Sequence, residues 1–449
     1  MARVRLKGSG RHRAVKPVKG GRQAVALATV LSAAGVQAVT TGGAAQAAGN
    51  PTWTEGPIFN NPLGTSDEQL AIRTRLIELT NAALPGSTIK VAVYHVWETS
   101  VVNALVAAKN RGVNVQVLLD ESSVSDRPTN TSYGTLASAL GTDRTKGSYV
   151  TTCPVDKSCL GDPKYGASIM HNKFWLFSAV QGATNVVVQT TSNSTPSAHT
   201  KFFNDALLLP NNPTMYDAYA DYFDTMTTRD WQSWHYRTVS NGLYKAYFFP
   251  RAGNTRDTDT VYSVLNNVTC RYKDSAGVTR STMVRVSIFK LTRMAIAEKL
   301  VSLKKAGCGV SIVYAETDSA KSSGTAGTWE KLHTTGGPTV RCYNDDRDPL
   351  NPGAKLATPY IIHSKYILID GMYDGVRNKV SFTGSGNYTG PALRENDESI
   401  VKVDDDAVHD MYRAHFDRVI KVAYPGTADT TDLCKGVKPL PPDGEKPTT

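Results

Sequence analysis

The sequence predicts an α/β protein of two similar halves, each an α-β-α stack with one β-sheet flanked by helices. The halves are expected to be related by a pseudo-twofold axis, with one active site at their interface. Two observations carry that expectation. The order strand, helix, strand occurs twice, at residues 88 to 120 and 284 to 316. A histidine and a lysine two residues apart, set in an apolar run, also occur twice, 192 residues apart.

TIKVAVYHVWETSVVNALVAAKNRGVNVQVLLD opens with a β-rich run, continues as an amphipathic stretch, turns at glycine and ends in a second apolar run. VRVSIFKLTRMAIAEKLVSLKKAGCGVSIVYAE repeats that order, and Tyr94 with Phe289, and Gly112 with Gly307, are each 195 apart. Later, MYDAYADYFD (215 to 224) and VHDMYRAHFD (408 to 417) both read as helices, with Phe223 and Phe416 separated by 193. A period of about 190 residues is far longer than any solenoid repeat, so the chain is expected to be a duplication. The boundary between halves belongs near residues 232 to 247, giving an N-terminal half over 48–240 and a C-terminal half over 241–434. The remaining 435–449 are polar and Pro-rich and are expected to be disordered.

Residues 1–47 differ in kind. Eight Lys or Arg residues precede the apolar run AVALATVLSAAGVQAV, and Ala45-Gln46-Ala47 follows with the small-x-small pattern of a cleavage site. This predicts a secretory signal peptide and a secreted, extracellular product, because the run is too short and Ala-rich for a spanning helix. The formal net charge of +10 includes those eight cations, which leaves the rest of the chain near +2. The basic balance therefore reports on export and argues little for nucleic-acid binding.

All six cysteines follow the leader, and an even count in an exported chain predicts disulfides. Cys153 and Cys159 close the short loop CPVDKSC. The other four, Cys270, Cys308, Cys342 and Cys434, allow three connectivities. No CxxC knuckle or HExxH occurs, so a zinc site is not expected, and no cofactor is assigned.

The chemistry sits in the paired motifs. MHNKFWLFS carries His171 and Lys173, and IIHSKYILIDG carries His363, Lys365 and Asp370. Alternation along a strand aims each histidine and lysine at one face. A single HxK on a strand is an ordinary polar pair; two in register point to a site. An Asn-bearing turn follows each, TTSN ending at Asn193 and GSGN ending at Asn387. If the halves pack together, two imidazoles, two ammonium groups and two amides converge. Such a pocket can hold a phosphoryl group and divide nucleophile and acid between its histidines.

Two HxK motifs, the second complete as HxKxxxxD followed by GSxN (His363, Lys365, Asp370, Gly384, Ser385, Asn387), resemble the phospholipase D superfamily. The resemblance covers both halves and implies two phospholipase D-like halves around one site. It implies a two-step, metal-independent phosphodiesterase working through a phosphohistidine. On that resemblance His171 is the expected nucleophile and His363 the expected general acid, though the sequences fit the reverse order too. Lys173, Lys365, Asn193 and Asn387 would bind phosphate. Ser178 stands where the family has an Asp in the first motif, and TTSN replaces GSxN.

Each histidine also needs a partner to fix its tautomer. The family's NxE pattern in Asn396-Asp397-Glu398 nominates Glu398, and Asn204-Asp205-Ala206 offers Asp205 in the first half. Alternation aims Asp205 and Glu398 at opposite faces if the asparagines align, so Asp397 is a rival. The implied activity is hydrolysis of glycerophospholipid headgroups at a membrane or micelle surface, with possible transfer to an alcohol, by a monomer without a transmembrane segment after signal cleavage. A secreted nuclease of the same superfamily and an inactive lipid- or anion-binding relative are the alternatives.

Overall fold

The computed structural model describes residues 51–320, 325–348, 350, 351 and 353–424. The expected signal peptide, the expected disordered tail and Cys434 lie outside the described residues. Both expected strand-helix-strand units form. In the first half, Thr88–Val93 leads through helix Thr99–Asn110 to Asn114–Leu119; in the second, Met283–Leu291 leads through Met294–Lys305 to Gly309–Thr317. Val101, Val102, Leu105 and Ala108 form the buried stripe of the first helix, at the spacing of one helical face. Gly112 and Gly307 end the two helices at φ +91° and +95°, a left-handed conformation that suits glycine.

The first sheet runs, in spatial order, Gly56–Phe59, Asp205–Leu209, Ala183–Thr190, Lys173–Val180, Thr88–Val93, Asn114–Leu119 and Tyr149–Thr152. The second runs Thr339–Cys342, Gly309–Thr317, Met283–Leu291, Lys365–Tyr373, Val376–Gly384, Ser399–Val403, Tyr244–Phe248 and Arg237–Asn241, with Val268–Thr269 beside Lys365–Tyr373. Their centres match. Lys173 opens a strand antiparallel to Thr88–Val93 in the register Val93 to Lys173, and Lys365 opens one with the register Ile288 to Lys365. The 240/241 boundary falls inside the hairpin of Arg237–Asn241 and Tyr244–Phe248, whose two strands both belong to the second sheet.

Strand alternation sorts the core. Ile89, Val91, Trp175 and Phe177 on one face of the first sheet join one cluster with the outer helix. Ala92, Phe174 and Leu176 on the other face join Tyr366, Leu368, Val401 and Phe248 of the second half in a shared central cluster. The expected helices form as Pro213–Thr228 and Asp406–Val422, and they fill this cluster with Tyr219, Tyr222, Phe223, Tyr412 and Phe416. A large shared apolar core makes the halves one folded unit.

Disulfides join Cys153 to Cys159, as the short loop predicts, and Cys270 to Cys308, one of the pairings the count leaves open. Among the described residues no helix is long and apolar enough to cross a membrane.

Candidate active site

Backbone pairing between the halves places the site. Ile361 and Ile362 pair in parallel with Phe202 and Phe203, and His363 then donates its N–H to the Phe203 carbonyl at 3.0 Å. The reciprocal contact pairs Met170 with Asp397, and His171 donates its N–H to the Asp397 carbonyl at 3.0 Å. Each histidine therefore leaves its own half alongside the segment that follows the other half's Asn turn.

The side chains are crossed in the same way. His171 Nδ1 donates to the carboxylate of Glu398, at 2.8 Å to Oε1 and 3.0 Å to Oε2. His363 Nδ1 donates to Oδ1 of Asn204 at 2.8 Å. Asn204 Nδ2 donates to the Ala198 carbonyl at 2.9 Å, and Thr191 Oγ1 donates to the same Oδ1 at 2.9 Å, which fixes the amide with its oxygen toward the ring. The amide oxygen thus holds a proton on Nδ1 of His363, and Nε2 is the ring nitrogen left to give or take one.

Here the expectation for Asp205 is corrected. Its carboxylate faces away from His363 and accepts from Thr383 Oγ1 at 2.5 Å and Tyr412 OH at 3.0 Å, tying the first half to the second. Asn204 and Asp205 are neighbours on extended backbone, so only one can face the ring. Asn204 is the residue that sequence reasoning misses. A signal for it exists, since Asn204 and Glu398 each lie 11 residues beyond Asn193 and Asn387. The identity of Asn204 with Asn396 conceals that register. The rivalry between Asp397 and Glu398 resolves by the same alternation, with Glu398 toward His171 and Asp397 turned the other way.

The lysines are buried with their histidines. Lys173 Nζ donates to the His171 carbonyl at 2.9 Å and lies 5.1 Å from the centre of the Tyr94 ring. Lys365 Nζ donates to the His363 carbonyl at 2.7 Å, lies 3.1 Å from Nε2 of His363, and is 5.5 Å from the Phe289 ring. Tyr94 and Phe289, which set the register of the repeat, are thus the paired aromatic floors beneath the ammonium groups.

Asn193 is fully buried, and neither polar atom of its amide has a partner among the described residues; Oδ1 of Asn387 is likewise unpartnered. Buried amides without partners cost stability unless something else binds them. Gly384, at the head of GSGN, is required by close approach, because a Cβ there would meet the Ser399 carbonyl oxygen at 2.1 Å. A cavity of about 650 Å³ reaches His171 from the first half and Lys290, Asn387 and Asn396 from the second; His363 and the two motif lysines are not among the residues lining it. Lys290 pairs with the buried Glu316 at 3.1 Å.

Asp370 does not join the cluster. It lies five residues beyond Lys365 on the same strand, about 16 Å along it, and pairs with Arg377 at 2.8 Å. Ser178 sits at the matching end of the first strand, where its Oγ accepts the Thr88 N–H at 2.8 Å. These positions tie down strand ends. His199 is fully buried, its ring nitrogens have no partner among the described residues, and it is not among the residues lining the cavity.

Comparison with known proteins agrees with this architecture. At 14% identity and a TM-score of 0.51, the fold resembles polyphosphate kinase from Porphyromonas gingivalis over 81% of this chain, which spans half of that longer protein. It resembles phosphatidylserine synthase from Haemophilus influenzae Rd KW20 at 13% identity and a TM-score of 0.50, over 82% of this chain and 87% of that one. No curated protein matches the sequence. Residues 76–227 and 278–420, one span in each half, match the family described as "Cardiolipin synthase, PLD-like domain", and with both of its HxK motifs inside these spans the chain belongs to that family.

Proposed function

We propose that this protein is an exported phosphodiesterase of the phospholipase D type, cleaving the headgroup ester of a glycerophospholipid to leave phosphatidic acid. The observation that carries the reading is the crossed support of the two histidines, His171 by Glu398 and His363 by Asn204. One ring is held by a carboxylate and the other by a neutral amide, which suits two different tasks. The lone pair of His171 Nε2 attacks phosphorus; as the P–N bond forms the ring becomes cationic, and Glu398 stabilises that charge. The P–O bond to the headgroup breaks, and a protonated His363 gives its Nε2 proton to the departing oxygen. Its neutral amide partner does not hold that proton back.

Lys173, Lys365, Asn193 and Asn387 supply the cations and donors for the phosphoryl oxygens. The contact that Lys365 makes with His363 Nε2 passes to phosphate when substrate enters. In the second step water adds to phosphorus, the P–N bond breaks, and His363 recovers a proton from the water. An alcohol can take the place of water and yield a new phosphodiester.

The test is incubation of the protein, cleaved after the leader, with phosphatidylcholine and ethanol. Phosphatidic acid and phosphatidylethanol are expected, with loss of both in His171→Ala. Shortening of single-stranded DNA without lipid turnover would replace this reading with that of a nuclease.

A further inference from the structure

Asp397 is fully buried, and its carboxylate does not touch either histidine. It accepts the N–H of Cys159 at 2.6 Å and of Leu160 at 3.0 Å, both at the end of the loop closed by the Cys153–Cys159 disulfide. Its backbone grips the chain on the other side of that loop, donating to the Ile169 carbonyl at 3.1 Å and accepting from the His171 N–H at 3.0 Å. Its neighbours add to the clamp. Asn396 Oδ1 accepts the Ile169 N–H at 3.1 Å, and Ser158 Oγ donates to the Glu395 carbonyl at 2.8 Å. The approach is tight enough that a Cβ on Gly161 would meet the Glu395 carbonyl oxygen at 2.1 Å.

Cys153, Cys159 and Asp397 would suggest a metal site by identity, but the sulfurs are bonded to each other and the carboxylate is taken up by N–H groups. A buried carboxylate is costly unless it is held by donors, so its two backbone bonds make the loop and the strand interdependent. The second histidine lacks this device. The residue that accepts the His363 N–H is Phe203, whose apolar side chain offers no carboxylate to a loop.

We infer that Asp397 is a positioning residue for the His171–Glu398 pair, and that the disulfide-closed loop Cys153–Cys159 is the part of the first half against which it is set. Glu398 and Asp397 are consecutive on extended backbone, so the anchoring of one fixes the reach of the other. Displacing Asp397 moves the carboxylate of Glu398 from Nδ1 and leaves the binding groups Lys173, Lys365 and Asn387 in place. The inference rests on the reading of His171 as a reacting group, and its test separates the two.

The full exported chain is prepared as wild type, Asp397→Asn, Cys153→Ser/Cys159→Ser and the combined variant. Two quantities are read: hydrolysis of bis(4-nitrophenyl) phosphate, and the low-field proton resonance of the His171 Nδ1–H, identified by its absence in His171→Ala. Asp397→Asn is expected to lower kcat about 10- to 100-fold with KM nearly unchanged, and to move the His171 resonance upfield. The cysteine variant should do the same. The combined loss should not exceed the larger single one, because both changes break one contact. A folded Asp397→Asn that keeps the resonance and kcat overturns the inference, as do losses that multiply. If Asp397→Asn does not fold, the cysteine variant decides by the same readouts. A wild type that turns over neither this diester nor phosphatidylcholine refutes the proposed function, while the resonance still decides the positioning.

Discussion

The carboxylate of Glu398 lies 2.8 Å from Nδ1 of His171, a residue 227 positions earlier in the chain and in the other half. The contact exists only when the halves are assembled, so the first half alone leaves the His171 ring without its carboxylate. Glu398→Gln keeps the size of the group and removes its charge. On the proposed function it should lower kcat about 100-fold or more while KM stays within a few-fold, because the charge is used after substrate is bound. Steady-state kinetics on a soluble diester measures this, and an unchanged kcat would remove Glu398 from the mechanism.

Asn204→Asp makes the two histidines alike. A carboxylate beside His363 favours its protonated form and weakens it as a proton donor. The alkaline limb of the pH–rate profile should move to higher pH, with a lower plateau. Asn204→Ala loses the partner altogether and should cost about 10-fold or more in kcat. If the profile of Asn204→Asp overlies that of the wild type, His363 does not act as the acid.

Much of this arrangement is legible in the amino-acid order. The repeat carries the register of both strand-helix-strand units, since Gly112 and Gly307 must sit at equivalent turns, and the HxK motifs carry the two buried His–Lys pairs. Asn204 is not legible by residue type, because an amide in place of a carboxylate matches no acid-base pattern. Asp205 misleads because an acid one residue away is the chemically natural choice, yet strand alternation turns it to Thr383 and Tyr412. The Asp397 clamp is hidden for another reason. It depends on contact between residues 159 and 397, and no local pattern encodes a tertiary hydrogen bond.

The motif aspartate Asp370 gives a prediction of no effect on chemistry. It pairs with Arg377 at a partly exposed strand end, well along the strand from Lys365. Asp370→Asn should leave kcat within about two-fold and cost at most about 1 kcal/mol of stability, the usual worth of an exposed ion pair. Ser178→Asp, which restores the missing first-motif acid, should likewise change activity little. A large loss of kcat in Asp370→Asn, with the fold intact, would return this residue to the site.

Asn193 should show opposite effects on stability and activity. Both polar atoms of its buried amide are without partners among the described residues, a cost of about 1–3 kcal/mol each, and on the proposed function a phosphoryl oxygen accepts from Nδ2 and relieves the donor's share. Asn193→Leu fills the same space without polar atoms. It should raise Tm by a few degrees while abolishing most of the phosphodiesterase activity, the trade-off expected where a site is built for a ligand. Calorimetry and turnover on the same sample test this, and a destabilised variant would mean that the amide is satisfied in the free protein.

Acid should destabilise the fold through His199 and His415. Burial pushes both rings down to about 3, and Arg73 and Arg418 add to the effect. His199 has no ring partner among the described residues, and His415 stacks on Phe59 at 4.0 Å. In the unfolded chain each titrates near 6.5, so between about 6.5 and 3 the unfolded state binds protons that the folded state does not. Stability therefore falls as pH drops through this window, by about 1.4 kcal/mol per pH unit for each ring. The carboxyls of Asp120, Asp205 and Asp397 act with the opposite sign, because burial raises them. A single substitution separates the two contributions. His199→Leu removes one ring and should flatten the loss between pH 6.5 and pH 4 by about 1.4 kcal/mol per pH unit, read by urea unfolding at several pH values. Parallel curves for variant and wild type would show that His199 is protonated in the folded protein.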